Sequence, residues 1–220
     1  MAPAPDVFVD RTDAGHRLAA ALGGSAVDVV LGLPRGGVVV AVPVAAALGA
    51  DLDIALVRKI GAPGRPEWGV GAVAEDERPQ FDREALAGLG ATPGDLADTV
   101  AREVAELRRR AAAYRGGRAA PAVAGRRVLV VDDGLATGVT AYAALRWLRG
   151  RRPRWLGFAA PVALADAARV LAAVADAVRC VRHEPRMPAV GAAYLDFRPV
   201  TDAEVSGALR AARRTATGAR

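Results

Sequence analysis

The sequence predicts a doubly wound α/β domain with a mainly parallel sheet, and three observations carry that prediction. Residues 27–33, 53–57, 128–131, 155–162 and 177–181 are strand-like runs rich in aliphatic and β-branched side chains. Their apolar character is nearly continuous and not alternating, as expected of strands covered on both faces. Between most of them lie helical patterns, the βαβ order of such folds. The chain has 220 residues, 52% of them apolar, enough for one sizeable core and one domain.

The elements follow in order. Residues 7–22 read as an extended entry and a short helix capped by Asp10 or Thr12, with Ala14, Leu18, Ala21 and Leu22 as its apolar stripe. After the first strand, Pro34-Arg35-Gly36-Gly37 forms a loop into an Ala/Val-rich helix ending near Gly49. Beyond the second strand the pattern breaks, and Gly61, Pro63, Gly64 and Pro66 punctuate a long loop. Residues 70–74 read as a short hairpin strand. Thr92 and Asp95 open a helix to about Tyr114 whose packed face includes Leu96, Val100, Val104 and Leu107. Arg108, Arg109 and Arg110 suit its C-terminal dipole and read as a solvated end. Past Gly125 the alternation resumes, with helices at 140–148 and 166–174, an irregular stretch at 183–200 and a terminal helix at 202–214.

Composition narrows the function classes. A single cysteine, Cys180, excludes a disulfide framework within the chain and reads as core. The longest apolar stretch, 38–48, is interrupted by Pro43 and too short to span a bilayer. No secretory-type leader is recognisable, so a cytoplasmic protein is expected. The net charge of +6 is almost wholly arginine; Lys59 is the sole lysine, and a genome that favours arginine codons explains most of this. Such a balance suits nucleic acid, acidic membranes or a small, highly charged substrate. The basic runs hold few aromatic residues and no nucleic-acid motif, which argues against the first.

The most informative run is VLVVDDGLATGVTA, residues 128–141. It describes a buried strand ending in two carboxylates, Asp132 and Asp133, then a small-residue loop, then a helix start. Open α/β sheets bind ligands beyond the carboxyl ends of their strands. Backbone amides at a helix N-terminus favour an anion, and the hydroxyls of Thr137 and Thr140 add donors. The carboxylates are acceptors for paired hydroxyls. A phosphate cradle beside a diol acceptor describes a ribose 5-phosphate site; the alternative is an ordinary turn capped by two aspartates. In the earlier loop, Arg35 offers a guanidinium fork, while Gly36 and Gly37 leave amides uncovered for phosphate oxygens.

These segments resemble type I phosphoribosyltransferases, whose fold is Rossmann-like. The aliphatic strand, acidic pair and threonine-bearing loop match that family's phosphoribosyl pyrophosphate (PRPP) motif at Asp132, Asp133, Ala136, Thr137, Gly138, Val139 and Thr140. Gly32-Leu33-Pro34-Arg35-Gly36-Gly37 looks like its pyrophosphate loop, and Lys59 stands where the family often has a pyrophosphate contact. Further similarity, in VRKIGAPGRPE, GVGAV and AVGAAYLDF, extends to bacterial stand-alone members of undefined substrate. Where those relatives carry aromatic residues before the last of these segments, this chain has Met187 and Pro188.

The resemblance implies a core at about 25–60 and 125–182, a flexible loop insertion within 61–124 and a small hood from the N-terminal segment and 183–220. It implies transfer of ribose 5-phosphate from PRPP to a nitrogenous base with release of pyrophosphate, assisted by Mg²⁺. Arg35 and Lys59 would stabilise the pyrophosphate, and Asp132 and Asp133 would orient the ribose. The metal would be held mainly by substrate and water, with Asp132 and Asp133 as the candidate protein ligands. Tyr194, Asp196 and Phe197 are candidates for the base pocket; Tyr194 and Phe197 read equally as core of a small cap. Family members often form homodimers. A non-catalytic sensor of PRPP or a nucleotide is the alternative function, and a basic nucleic-acid-binding protein is a third.

Overall fold

A computed structural model describes residues 7–218. Its main sheet has five strands: β1 (Val29–Gly32), β2 (Asp51–Ile54), β6 (Arg127–Val131), β7 (Trp155–Leu164) and β8 (Ala177–Glu184). Their spatial order is β2-β1-β6-β7-β8, and every pairing is parallel. A second, antiparallel sheet joins β3 (Val57–Ala62), β4 (Arg65–Ala74) and β5 (Pro79–Phe81). The helices are α1 (Arg11–Leu22), α2 (Gly36–Leu48), α3 (Arg83–Leu89), α4 (Ala97–Arg115), α5 (Val139–Gly150), α6 (Ala165–Leu171) and α7 (Asp202–Gly218).

The continuous apolar strands have a physical explanation in two cores. Val30, Leu129 and Val131 pack with α1, α2, α4 and α7, whereas Val29, Leu31, Val128 and Val130 pack with α5 and α6. Successive side chains of a strand point to opposite faces, so burial on both faces demands an apolar residue at every position. None of the described helices is long and apolar enough to cross a membrane.

Four expectations about elements need correction. The strand expected at 53–57 is divided: β2 ends at Ile54, and β3 starts at Val57 in the other sheet. The loop expected from Gly61 is instead a β3–β4 hairpin, closed by Pro63 and Gly64 between the paired residues Ala62 and Arg65. Gly64 takes φ +70°, and proline followed by a left-handed glycine is what a type II turn requires. Helix α3 was not foreseen, although Asp82 caps it by accepting from the Glu84 and Ala85 amides and Gly90 ends it at φ +63°. The cap on α1 is Asp10, and Ala19, not the exposed Ala21, joins positions 14, 15, 18 and 22 in the buried stripe.

The two sheets are joined by a buried cation. Arg115, at the end of α4, is 4% exposed. Its guanidinium binds Asp53 at 3.1 Å, the Ile54 carbonyl at 2.8 Å and both oxygens of Glu75. Glu75 in turn accepts from the Leu56 amide. One side chain therefore ties the end of β2, the base of the hairpin and α4 together.

Candidate functional site

The site lies at the carboxyl ends of β1 and β6. Strand β6 ends at Val131; Asp132 and Asp133 follow, Leu135 bridges to Ala163 of β7, and α5 begins at Val139. Gly138 is the N-cap of α5 at φ +77°, and no side chain caps the first turn. The opening amides of α5 thus lack a side-chain acceptor, the condition under which a helix N-terminus receives an anion. Thr137 is exposed and Ala136, Val139 and Thr140 are half-buried around that opening, with Gly138 beneath.

The second loop interlocks with the first. Leu33 donates to the Val131 carbonyl at 2.8 Å, and the peptide Pro34–Arg35 is cis. A Cβ on Gly36 would lie 1.9 Å from Asp133 Oδ2; one on Gly37 would lie 2.7 Å from the Val131 carbonyl and 2.8 Å from Asp132 Cα. Only glycine allows this approach at either position. Two segments about a hundred residues apart in sequence therefore form one floor. Arg35 projects from its rim, with Asp202 of α7 3.9 Å away.

Lys59 enters from the hairpin. Its Cδ is 3.0 Å from where a Cβ of Gly69 would be, and that same point is 3.4 Å from Val139 Cγ1. The lysine stem thus lies against Gly69 of β4, on the side where the first residue of α5 also approaches that glycine. Arg35, Lys59, the acid pair and the threonine loop come from separate segments and converge on one end of the sheet.

Asp132 is half-buried, and desolvation of its carboxyl, reinforced by the charge of Asp133, holds it well above the ordinary carboxylate range. Burial also raises Asp133, against the pull of the Arg11 guanidinium. Asp132 Oδ1 accepts from the Asp133 amide at 2.9 Å. Among the described residues no cluster of three or more His, Cys, Asp or Glu could cage a metal ion. The carboxylate pair supplies oxygen donors of the kind Mg²⁺ takes.

The base-pocket candidates divide. Tyr194 is buried; its hydroxyl donates to the Asp133 carbonyl, and its ring packs on Phe8 and Phe197 at 5.4 and 4.9 Å. Burial and the nearby Asp133 push its phenol far above its usual range. Phe197 is half-buried beside it, and exposed Asp196 accepts from the Arg198 amide at 3.0 Å. His183 is an exposed residue within β8. Sequence reasoning missed Arg11, whose Nε donates to Asp133 Oδ2 at 2.8 Å. The available signal was positional: residue 11 continues the stripe of 14, 18 and 22, so a charge there points inward and needs a partner.

The model for the phosphoribosyl transferase domain matches residues 13–194. Two strains of Mycobacterium tuberculosis have proteins provisionally named phosphoribosyl transferases, each 40% identical over 211 residues; the match covers 94% of this chain. The chain spans about half, 47%, of the length of those relatives. The crystal structure of TT1426 from Thermus thermophilus is similar with 45% identity and a TM-score of 0.79, covering 92% of this chain and 97% of that one.

Proposed function

The chain belongs to the phosphoribosyl transferase domain family, and from that premise we propose that it transfers ribose 5-phosphate from PRPP to a nitrogenous base in the cytoplasm, releasing pyrophosphate. The observation that carries the reading is the interlock of Gly36 and Gly37 with Asp132 and Asp133. It sets the Arg35-Gly36-Gly37 loop against the two carboxylates and beside the uncapped start of α5, an arrangement that supports pyrophosphate, ribose and 5-phosphate binding side by side.

In this reaction the bond from C1 of the ribose to the pyrophosphate oxygen breaks, and a bond from C1 to a ring nitrogen of the base forms. The nitrogen's proton leaves to solvent or a nearby acceptor. The amides opening α5, with Thr137 and Thr140, hold the 5-phosphate. Asp132 and Asp133 orient the ribose hydroxyls and offset positive charge developing at C1. Arg35 and Lys59 stabilise the negative charge that gathers on the departing pyrophosphate. Bound Mg²⁺, held by the acid pair together with substrate oxygens and water, would neutralise part of that charge.

Purified protein mixed with PRPP, Mg²⁺ and a panel of free nitrogenous bases tests the proposal. Pyrophosphate release that depends on one base is expected, and Thr137→Ala or Asp133→Asn should weaken PRPP binding without unfolding the chain. Tight PRPP binding with no release across the panel would replace transfer by sensing. Absence of PRPP binding would remove the reading altogether.

A further inference from the structure

Arg11 and Arg115 are the buried arginines among the described residues, and Arg11 is the one that stands at the acid pair. Its side chain is 10% exposed, while those of Arg35, Arg108 and Arg109 are 44% or more exposed. It is the first residue of α1, directly after the Asp10 cap. That helix is pressed on α2 closely enough that a Cβ on Gly15 would sit 2.6 Å from the Val40 carbonyl. The backbone carrying Arg11 is consequently fixed.

Three contacts then fix the guanidinium. Nε donates to Asp133 Oδ2 at 2.8 Å, Nη1 donates to the Arg198 carbonyl at 2.9 Å, and the group lies 3.8 Å over the ring of Phe197. The carboxylate is fixed from its other side. Tyr194 donates to its backbone carbonyl, and Gly36 leaves the space that Oδ2 occupies. Two parts of the fold outside the central sheet, α1 and the 194–198 tail, thus converge on a single carboxylate of the acid pair. A planar guanidinium with several fixed donors suits this task, because it can hold a carboxylate oxygen in one direction while anchored elsewhere.

We propose that Arg11 is a positioning residue that aims Asp133 at the ribose hydroxyls of the substrate, with the Phe197 ring and the Arg198 carbonyl as its anchors. The inference rests on the phosphoribosyl reading. One carboxylate oxygen is committed to Arg11, and the other is the acceptor left for a hydroxyl. Truncating Arg11 frees Asp133 to rotate, so the loss should fall on ligands that carry the ribose and spare ligands that do not.

The test measures binding of ribose 5-phosphate and of pyrophosphate, each alone, to the parent and to Arg11→Gln, Arg11→Lys, Asp133→Asn and the double variant Arg11→Gln/Asp133→Asn. Thermal melts confirm that each is folded. Arg11→Gln should bind ribose 5-phosphate about tenfold or more weakly, the scale of a hydrogen bond to a charged group. Its pyrophosphate affinity should match the parent, and the double variant should bind no worse than Asp133→Asn. Arg11→Lys should recover part of the loss; if Arg11→Gln fails to fold, Arg11→Lys carries the same comparison. Equal loss of both ligands, or loss of neither, overturns the role given to Arg11 while leaving the phosphoribosyl reading in place. A parent that binds neither ribose 5-phosphate nor PRPP overturns that reading and this inference with it.

Discussion

Gly36→Ala should separate folding from ligand recognition. The added Cβ would meet Asp133 Oδ2 at 1.9 Å, Asp133 Cγ at 2.7 Å and Arg11 Nε at 2.7 Å. Ordinary contact begins near 3.4 Å, so the carboxylate and the loop must separate by about 1.5 Å, the difference between 3.4 and 1.9. Asp133 cannot retreat freely, because Arg11 holds its Oδ2 at 2.8 Å and Tyr194 holds its backbone. Overpacking of this kind costs roughly 1–3 kcal/mol, which for a chain of this size lowers the melting temperature by about 2–12 °C. The effect on the site should be larger, since a misplacement of about 1 Å can cost on the order of a hundredfold. Scanning calorimetry with and without PRPP reads both quantities. A folded Gly36→Ala protein with parental PRPP affinity would refute the claim that the two loops form one site.

Other perturbations reach different parts of the molecule. Arg115→Met leaves Asp53 and Glu75 facing each other without their buried cation; a loss of roughly 3–5 kcal/mol in denaturant unfolding is expected, and a loss under about 1 kcal/mol would contradict the account of Arg115 as the tie between the sheets. Burial raises the Cys180 thiol from 9.0 to about 11, so at pH 8 alkylation should run about a hundredfold slower in the folded protein than in urea; equal rates would place the thiol in solvent. Asp202 is held below the ordinary carboxylate range, chiefly by the Tyr114 hydroxyl and against the effect of burial, with Arg109 adding to the shift. A lowered folded value contributes stability above the unfolded carboxylate range and loses it as pH falls through the folded one. Asp202→Asn should therefore cost up to about 1 kcal/mol near neutral pH and progressively less in acid; a cost that grows in acid would reverse the sign.

The main sheet was legible because strands buried on both faces leave a dense apolar signature, as in residues 128–131. The local geometry of residues 128–141 was legible for a similar reason: strand end, acid pair, small loop and helix start are contiguous in sequence. Contacts between distant segments were not. Nothing local in Arg11-Thr12-Asp13 names Asp133 as a partner, and the approach of Gly36 to that carboxylate exists only after the sheet has formed. The hairpin was obscured because Gly61, Pro63, Gly64 and Pro66 read as the punctuation of a long loop. The register shifts at Gly61, whereas Gly69 admits the lysine stem and Gly71 the ring of Phe81. Helix α3 was hidden by its length of seven residues, too short for a periodic stripe, although its caps were readable.

The placing of the β6 side chains in two separate apolar compartments has a consequence for the carboxyl end of the sheet. In β6, odd positions 129 and 131 belong to one compartment and even positions 128 and 130 to the other. Asp132 and Asp133 inherit that parity from the strand beneath them. Inserting one amino acid between Arg127 and Val131 would carry Asp132 into the place of Asp133, beside Arg11, and push Asp133 one position on, to the opposite side. The odd–even count along this short aliphatic run is thus what assigns each aspartate its neighbour.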